Sequence, residues 1–390
     1  MTGPEDGDYW TNLPGALAER RDGAPAPALT VETIGGVEPL DTQLGVVEPL
    51  TVPPALYEPL FGQPDVIEGR TILPLQTYAV LDAAKLPGLP EMLEASGLQH
   101  ACLFQGTAAE ELRDVAPYLI RLEEGHRFTR GLFTRGDAPW NMWGKEPGIF
   151  LRSRGTMDLV RSHLRRSVRT QDMEGRWHLF RIWEATTAGA YLSGLSDRTE
   201  WWSRWFVVRG VGSPCRIMIP EASRRERSAK LHVFGVDGSS GHLSALTPVG
   251  PLTISGADVA RLSAARRERQ LDKLADRLEE TLPEAIGGLS TVEVDDLTRD
   301  VVARMQGLGF RRSSHLFVLL CWEAAFGPHF EEIDPEGDLV DILKASDHRD
   351  ADARMSALIE RMSVLEASGT ARIADGAMHA PAERVGRADR

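Results

Sequence analysis

A strand–helix–strand pattern around residues 101–120 constrains the fold of this chain most strongly. An apolar run ends at Phe104, and Gly106 supplies the residue type that tight turns favour. Thr107 and Glu110 have the spacing of a capping box, in which both side chains accept hydrogen bonds from backbone N–H groups at a helix start. Pro117 ends the helix because it lacks an N–H and disfavours helical geometry in the preceding residue. The unit contains no evident reacting group, so we assign six of its residues to architecture: Phe104, Gln105, Gly106, Thr107, Pro117 and Tyr118.

Residues 71–235 alternate between short apolar runs and helical patterns. This alternation predicts an α/β domain with a mixed or parallel sheet and flanking helices. Strands are predicted at Thr71–Leu75, Tyr78–Leu81, Ala101–Phe104, Ile149–Leu151, Trp177–Trp183, Phe206–Arg209 and Ile217–Ile219. Helices are predicted at Lys85–Ser96, Ala108–Val115, Met157–Val168 and Thr187–Leu195.

From residue 256 onward the pattern becomes purely helical. Ser255 and Asp258 predict a helix start, and leucines at helical spacing continue to Pro283, which ends that helix. Residues 256–368 are therefore expected to form an all-α lobe. Residues 236–255 are expected to be a connector with a hairpin near Asp237, and residues 369–390 a flexible tail.

The composition is that of an ordinary soluble globular protein, with 42% hydrophobic and 26% charged residues. No apolar run approaches the ~20 residues that a membrane-spanning helix needs, and the acidic start lacks the apolar segment of a secretion signal. Cys102, Cys215 and Cys321 lie too far apart for metal-ligand spacing and are expected to be buried thiols. We therefore predict a cytoplasmic protein without a membrane partner.

The net charge of −13 is distributed unevenly. Residues 1–70 contain 12 acidic and 3 basic residues, a net charge of −9, and 10 of the 24 prolines, which predicts an extended or disordered segment. Sequences of the Val-Glu-Pro-Leu type recur in it and could serve as docking motifs. Residues 151–230 contain 16 basic and 8 acidic residues, a net charge of +8. We hypothesise that the acidic head lies on the basic middle until a partner displaces it.

Tryptophan is concentrated in the basic part of the chain, with seven of nine between residues 140 and 205. Trp177 and Trp183 stand at the ends of one predicted strand and face the same way, which favours the core. The run Trp201, Trp202 and Trp205 cannot easily bury all three rings on one side of a helix or strand. At least one of these rings is therefore expected to be exposed as part of a partner site.

Arginines interleave with the tryptophans, and these two residue types often carry the binding energy of interfaces. Arg161, Arg165 and Arg169 are spaced i, i+4, i+8 and predict one stripe on a helix. Such a surface fits carboxylates and apolar anchors of a protein, or phosphates and bases of a nucleic acid. The acidic overall charge disfavours nucleic acid. The candidate partner-binding residues are Arg161, Arg165, Arg166, Arg181, Trp183, Trp201, Trp202 and Trp205.

No catalytic motif stands out in the sequence. It contains no His-Glu-x-x-His, Cys-x-x-Cys, phosphate-loop or Gly-x-Ser-x-Gly sequence. His163 has no triad partner that the sequence reveals. We predict no catalytic residue, metal ligand or cofactor. The alternatives are a metal-dependent hydrolase or nuclease built on an unrecognised carboxylate pair, and a nucleic-acid-binding module.

Several sequence blocks together resemble the adaptor or chaperone family that loads effectors of the bacterial type VI secretion system. The blocks are Tyr78–Ala84, Leu103–Gly106, Asp114–Leu119, His163–Arg166 and Phe180–Trp183. The resemblance implies a non-catalytic cytoplasmic protein that binds a secreted effector and delivers it to the VgrG-type spike protein. One departure is Glu184-Ala185-Thr186, where the family commonly carries Asp-Pro-Arg, so a role tied to that arginine is in doubt here.

Overall fold

The computed structural model describes residues 28–64, 73–224, 228–237, 250–345 and 350–371. Within these residues seven strands form one sheet in the order β1-β9-β8-β5-β2-β4-β3, and β6 pairs with β7 in a separate hairpin. The strands are β1 (Ala28–Val37), β2 (Gln76–Asp82), β3 (His100–Cys102), β4 (Pro117–Leu122), β5 (Gly148–Ser153), β6 (Arg169–Gln171), β7 (Trp177–Leu179), β8 (Arg216–Ser223) and β9 (Ser228–Asp237).

Both faces of the large sheet are covered by helices, since its central strands are apolar on both faces. In β2, Tyr78 and Val80 contribute to the core on one face, and Ala79 and Leu81 to the core on the other. The first core includes residues of α5 (Met157–Arg165), α6 (Ala185–Leu192) and α7 (Trp202–Phe206). The second includes residues of α1 (Pro54–Phe61), α2 (Leu89–Ser96) and α4 (Arg127–Phe133).

The predicted class, an α/β domain with flanking helices followed by a helical lobe, is confirmed. A mixed or parallel sheet was predicted, whereas each ladder between the strands named above is antiparallel. Antiparallel neighbours that follow each other in the chain, such as β8 and β9, need no crossover helix between them.

Two predicted strands end differently in the structure. The strand predicted at Trp177–Trp183 stops at Leu179, and Phe206 belongs to α7 instead of starting a strand. β9 continues to Asp237, so the hairpin predicted there would fall on residues 238–249, outside the described residues.

Residues 28–64 were expected to be an extended or disordered segment apart from the sheet, and the structure corrects this. β1 pairs with β9 along the sheet edge, and α1 buries Leu56 and Leu60 against the second face. Leu40 and Leu60, from two of the recurring Pro-Leu sequences, are buried, which excludes them as docking motifs. The hypothesis that the acidic head covers the basic middle stays a prediction. Arg152 of the basic middle donates hydrogen bonds to the carbonyl oxygens of Leu60 and Gly62, whereas α1 and α5 lie on opposite faces of the sheet. Residues 1–27 lie outside the described part.

The two predicted capping boxes have different outcomes. Ser255 and Asp258 form one at the start of the first helix of the lobe, as predicted. At α3 (Thr107–Glu111) the prediction is wrong, because Gly106 is the N-cap residue with φ +56° and no side chain caps the helix. A glycine accepts this left-handed geometry without strain, so Thr107 is moved one position into the helix.

The helical lobe begins at α8 (Gly256–Thr281), which joins it to the sheet domain. Leu262 packs in the core of the first sheet face, whereas Leu271 and Leu278 pack in the lobe. The remaining helices are α9 (Pro283–Ile286), α10 (Thr291–Gly307), α11 (Ser313–Phe326), α12 (Asp338–Lys344) and α13 (Ala351–Ala367). Among the described residues, none of the helices combines the length and apolarity that crossing a bilayer requires.

A buried arginine makes a second connection between the domain and the lobe. The side chain of Arg224, which directly follows β8, is 5% exposed. It is paired at 2.5–2.6 Å with three carboxylates of α8 and α10, those of Asp276, Glu279 and Asp295. Because a buried charge is costly without its partners, this contact fixes the end of β8 against the lobe.

Candidate partner-binding surface

The β6–β7 hairpin exposes large apolar side chains. Trp177 is 50% exposed and Leu179 56%. The two residues lie on one face of β7 because they are two positions apart. Arg169, which is opposite Leu179 in the ladder, places its guanidinium carbon 5.1 Å from the centroid of the Trp177 ring. We call Arg169, Trp177 and Leu179 the hairpin patch.

The turn of the hairpin is fixed by one carboxylate. Asp172 Oδ1 accepts hydrogen bonds from the backbone N–H groups of Glu174 at 3.0 Å and Arg176 at 2.8 Å. Its Oδ2 lies 2.8 Å from His178 Nε2 and accepts from Arg176 Nε at 2.8 Å. The hydrogen bond with His178, followed by those from Arg176, holds the pKa of Asp172 well below its usual range. The charged carboxylate therefore organises the turn that presents Trp177.

A neutral histidine orients an arginine next to this hairpin. His163 is buried in α5, and burial, with the nearby charge of Arg166, lowers its pKa to about 4. A carbonyl oxygen only accepts and a guanidinium only donates. His163 Nε2–H therefore donates to the carbonyl oxygen of Trp205 at 3.0 Å, and Nδ1 accepts from Arg166 Nη2 at 2.9 Å.

Two further arginines surround Arg166. Arg204 donates from Nη2 to the carbonyl oxygen of Arg166 at 2.6 Å and from Nη1 to that of Gly250 at 3.2 Å. Burial, and then the charge of the exposed Arg209, lowers the pKa of both Arg166 and Arg204. We call Arg166, Arg204 and Arg209 the arginine cluster.

The arginine cluster carries positive charge that no carboxylate of the described residues neutralises. Within the described ranges, none of its members forms an ion pair with Asp or Glu, and the same holds for Arg169. Arg169 follows Arg166 by three residues, so the cluster continues directly into the hairpin patch. Together they form a surface with an apolar centre and a cationic side, which suits a partner with carboxylates beside apolar residues.

The three tryptophans predicted to be at least partly exposed are all buried. Trp201 is 8% exposed, Trp202 3% and Trp205 1%. A short 3₁₀ turn over Thr199–Trp201 runs directly into α7, and this change of helical pitch brings all three rings into the first core. The prediction that one ring is exposed is wrong. It assumed that the whole run lies on one regular helix or one regular strand.

Trp183 and Arg181 both contact buried groups of the protein, although the side chain of Arg181 is 38% exposed. Trp183 is 1% exposed, and its ring meets that of Phe104 edge-on with centroids 6.3 Å apart. Arg181 forms an ion pair with the fully buried carboxylate of Asp82. These contacts join the resembling blocks of β2, β3 and Phe180–Trp183 into one structural unit.

The predicted stripe on α5 is divided in the structure. α5 ends at Arg165, so Arg169 belongs to β6 and is not on the helix. Arg161 donates from Nε to the carbonyl oxygen of Cys102 in β3 at 2.9 Å. Burial raises the pKa of the Cys102 thiol, and the charges of Arg161 and Arg165 oppose this rise. Arg161 and Arg165 therefore lie beside β3, whereas Arg166 belongs to the arginine cluster.

A separate cleft of about 340 Å³ lies between the sheet domain and α8. Glu146 pairs there with Arg269 and, at 3.6 Å, with Lys273, and Glu184 lies 4.0 Å from Arg266. Glu184 and Thr186, at the position where the resembling family carries Asp-Pro-Arg, line this cleft. Since both carboxylates are paired with cations, the cleft is mainly a charged joint between domain and lobe.

The sequence interpretation missed the exposed residues of the hairpin patch. Trp177 was expected in the core because a single strand was predicted through to Trp183. Asp172 and Gly175 before it are typical turn residues, and Gly175 has φ +79°. Reading that turn as a hairpin would have placed Trp177 on an isolated two-stranded ladder, where one face stays in solvent.

The comparisons with known proteins cover part of this surface. Residues 77–200 match the family model described as Domain of unknown function (DUF4123). The match includes the hairpin patch and Arg166, but neither Arg204 and Arg209 nor the helical lobe. No curated protein and no solved structure matches the chain. In the part of the chain that the structure describes, no group of three or more His, Cys, Asp or Glu side chains is arranged to hold a metal ion.

Proposed function

We propose that this protein is a non-catalytic cytoplasmic adaptor that binds a secreted effector of a type VI secretion system and delivers it to the spike protein. The observation that carries the proposal is the half-exposed Trp177 and Leu179 beside four arginines without carboxylate partners in the described residues. The match of residues 77–200 to the family model supports it, because the resembling blocks lie in that range.

The surface suits a partner that must be held and later released. A well-packed aromatic anchor contributes upwards of ~2 kcal/mol to binding. Exposed arginines chiefly accelerate association and select an acidic partner, and salt screens them. Such an interface holds an apolar segment of the effector without the large apolar area of a permanent complex.

The adaptor role is tested by co-expression with candidate type VI effectors from the same genome. We expect one of them to co-purify with this protein, and that effector's soluble yield to fall several-fold without its adaptor. Arg209→Glu reverses an exposed charge of the arginine cluster, and Arg267→Glu makes the same change on an exposed residue of α8. We expect co-purification to weaken with Arg209→Glu only. Monodisperse, well-expressed candidate effectors that never bind this protein would exclude the proposal.

The arginine cluster also favours a second candidate, binding of single-stranded nucleic acid. Arginines that lack a carboxylate partner among the described residues fit phosphates, and the exposed face of Trp177 fits a stacked base. A gel shift with an unstructured oligonucleotide at increasing salt tests this, because phosphate contacts weaken steeply with salt. The net charge of −13 favours the protein partner.

A further inference from the structure

The outer edge of β7 has no strand beside it within the described residues, since the small sheet has the order β6-β7. The other side of the hairpin is occupied: Gln171 N–H donates to the carbonyl oxygen of Leu252 at 2.8 Å, and Ile254 N–H donates to that of Gln171 at 2.9 Å. Among the described residues the hairpin is thus closed on the β6 side and open on the β7 side.

The register shows which backbone groups of β7 point outward. Gln171 is opposite Trp177 in the ladder, and its backbone groups bond away from β7. Gln171 and Trp177 are therefore a non-hydrogen-bonded pair, in which the groups of both residues point away from the ladder. Phe180 N–H donates inward to the carbonyl oxygen of Val168 at 2.7 Å. By the period of two, the N–H and C=O groups of Trp177 and Leu179 point to the open edge.

We propose that an extended segment of the partner protein adds to β7 as the third strand of this small sheet, with apolar side chains against Trp177 and Leu179 and a carboxylate near Arg169. The proposal rests on the proposed adaptor function and specifies how its surface holds the partner. Each added strand residue whose N–H and C=O face β7 exchanges two backbone hydrogen bonds with it.

The edge lacks some of the devices that keep strands from pairing. Natural edges are commonly blocked by proline, lysine or a bulge, and β7 contains none of them. The apolar side chains and the open backbone edge belong to the same two residues, Trp177 and Leu179. Recognition of backbone and of side chains therefore takes place together.

The charges favour a different protein over a second copy of this chain. Pairing β7 with the β7 of another copy would bring two Arg169 side chains, neither with a carboxylate partner in the described residues, to one small interface. Arg169 stands on β6, but its guanidinium lies over the Trp177 ring of β7, so the two charges would share one face of the paired strands. Like charges that meet on such a face are destabilising. An incoming strand with a glutamate or aspartate on its apolar face instead supplies the missing countercharge.

The test uses the full-length protein and a synthetic peptide blocked at both ends, in which valine alternates with threonine and glutamate stands at each end on the valine face. N-methylation removes one peptide N–H at a time. In strand addition, only alternate N–H groups face β7, so we expect at least about tenfold weaker binding at every second position and little change between. Equal tolerance at all positions, or no binding of the peptide, would overturn the proposal.

Variants of β7 provide the matching test. Leu179→Pro removes an outward N–H that the ladder to β6 does not use, and Leu179→Ala removes most of the side chain but keeps the N–H. We expect Leu179→Pro to bind the peptide at least about tenfold more weakly than Leu179→Ala, with an unchanged circular dichroism spectrum. Equal affinities would contradict strand addition.

Co-purification with the effector distinguishes a failure of strand addition from a failure of the adaptor function. If Leu179→Pro co-purifies with the effector as the unchanged protein does, the adaptor function stands and strand addition is wrong. If the unchanged protein fails to bind the effector, the adaptor function is wrong whatever the peptide does. A dimer in sedimentation that Leu179→Pro dissociates would make the occupant a second copy and would also overturn the proposal.

Discussion

Two tryptophan-containing regions of the sheet domain have opposite roles. Trp201, Trp202 and Trp205 are at most 8% exposed and fill the core under the sheet, whereas Trp177 is 50% exposed on a two-stranded hairpin. Both regions lie near arginines in the sequence, so composition alone does not separate them. The number of neighbouring elements separates them, because a ring between sheet and helices is enclosed and a ring on an isolated ladder is not.

His163 links the two regions through its two ring nitrogens. Nε2 bonds the backbone of Trp205 in the core, and Nδ1 bonds Arg166 at the surface. The buried region thus fixes the orientation of the exposed one. Changes in the core should alter stability first, and changes at the hairpin should alter binding with little effect on stability.

The largest expected effect is that of Trp205→Ala. The ring is 1% exposed and meets Tyr191 edge-on at 5.5 Å, so its removal leaves a large cavity. We expect the free energy of unfolding to fall by about 4 kcal/mol, measured by urea denaturation. Trp140→Ala, at a ring that is 65% exposed, serves as the control and should change it by less than about 0.5 kcal/mol. Similar losses in both variants would remove the contrast between buried and exposed rings.

The second effect is a pH dependence that originates at His163. Its pKa is about 4 in the folded protein and about 6.5 in the unfolded chain. As pH falls from about 6.5 to 4, the unfolded chain takes up a proton that the folded protein does not. Stability is therefore complete above pH 6.5 and declines by about 3 kcal/mol towards pH 4.

The matched variant for this prediction is His163→Gln, whose amide can still donate to the carbonyl oxygen of Trp205. Because glutamine does not titrate, this variant should lack the decline in stability between pH 6.5 and 4 that His163 causes in the unchanged protein. Parallel stability curves for the two proteins between pH 7 and 4 would show that His163 is not the titrating group.

The sequence predicted the fold well wherever local chemistry acts alone. The capping box of Ser255 and Asp258 and the stop at Pro283 correctly placed the first long helix of the lobe. The alternation in Tyr78–Leu81 likewise placed a central strand. These signals depend on neighbours within a few residues, which the sequence displays directly.

The candidate site was harder to predict because exposure depends on distant contacts. The rings of Trp201–Trp205 are buried by a change from 3₁₀ to α-helix and by residues such as Tyr191. β1, in the segment expected to be extended or disordered, is ordered by pairing with β9 about two hundred residues away. Neither contact leaves a local pattern in the sequence. Of the predicted partner-binding residues, Arg166 alone lies in the arginine cluster.

The third prediction concerns binding. Trp177→Ala should change the free energy of unfolding by less than about 0.5 kcal/mol, since half of the ring is in solvent. Binding of the alternating valine peptide should weaken at least about tenfold, because a central aromatic anchor is lost. Trp140→Ala again serves as the control and should bind normally in the same calorimetric titration. Normal binding by Trp177→Ala would place the partner site elsewhere on the protein.

The smallest expected effect is the coupling between Arg169 and Trp177, and it shows whether the hairpin patch is already ordered before a partner arrives. The guanidinium carbon lies 5.1 Å from the ring centroid at an exposed site, where a cation–π contact contributes about 0.5 kcal/mol. A double-mutant cycle of Arg169→Gln and Trp177→Leu, read from urea denaturation, should give a coupling free energy of that size. A coupling near zero would mean that Arg169 stays free in solution and stacks on Trp177 only when a carboxylate of the partner draws it to the patch.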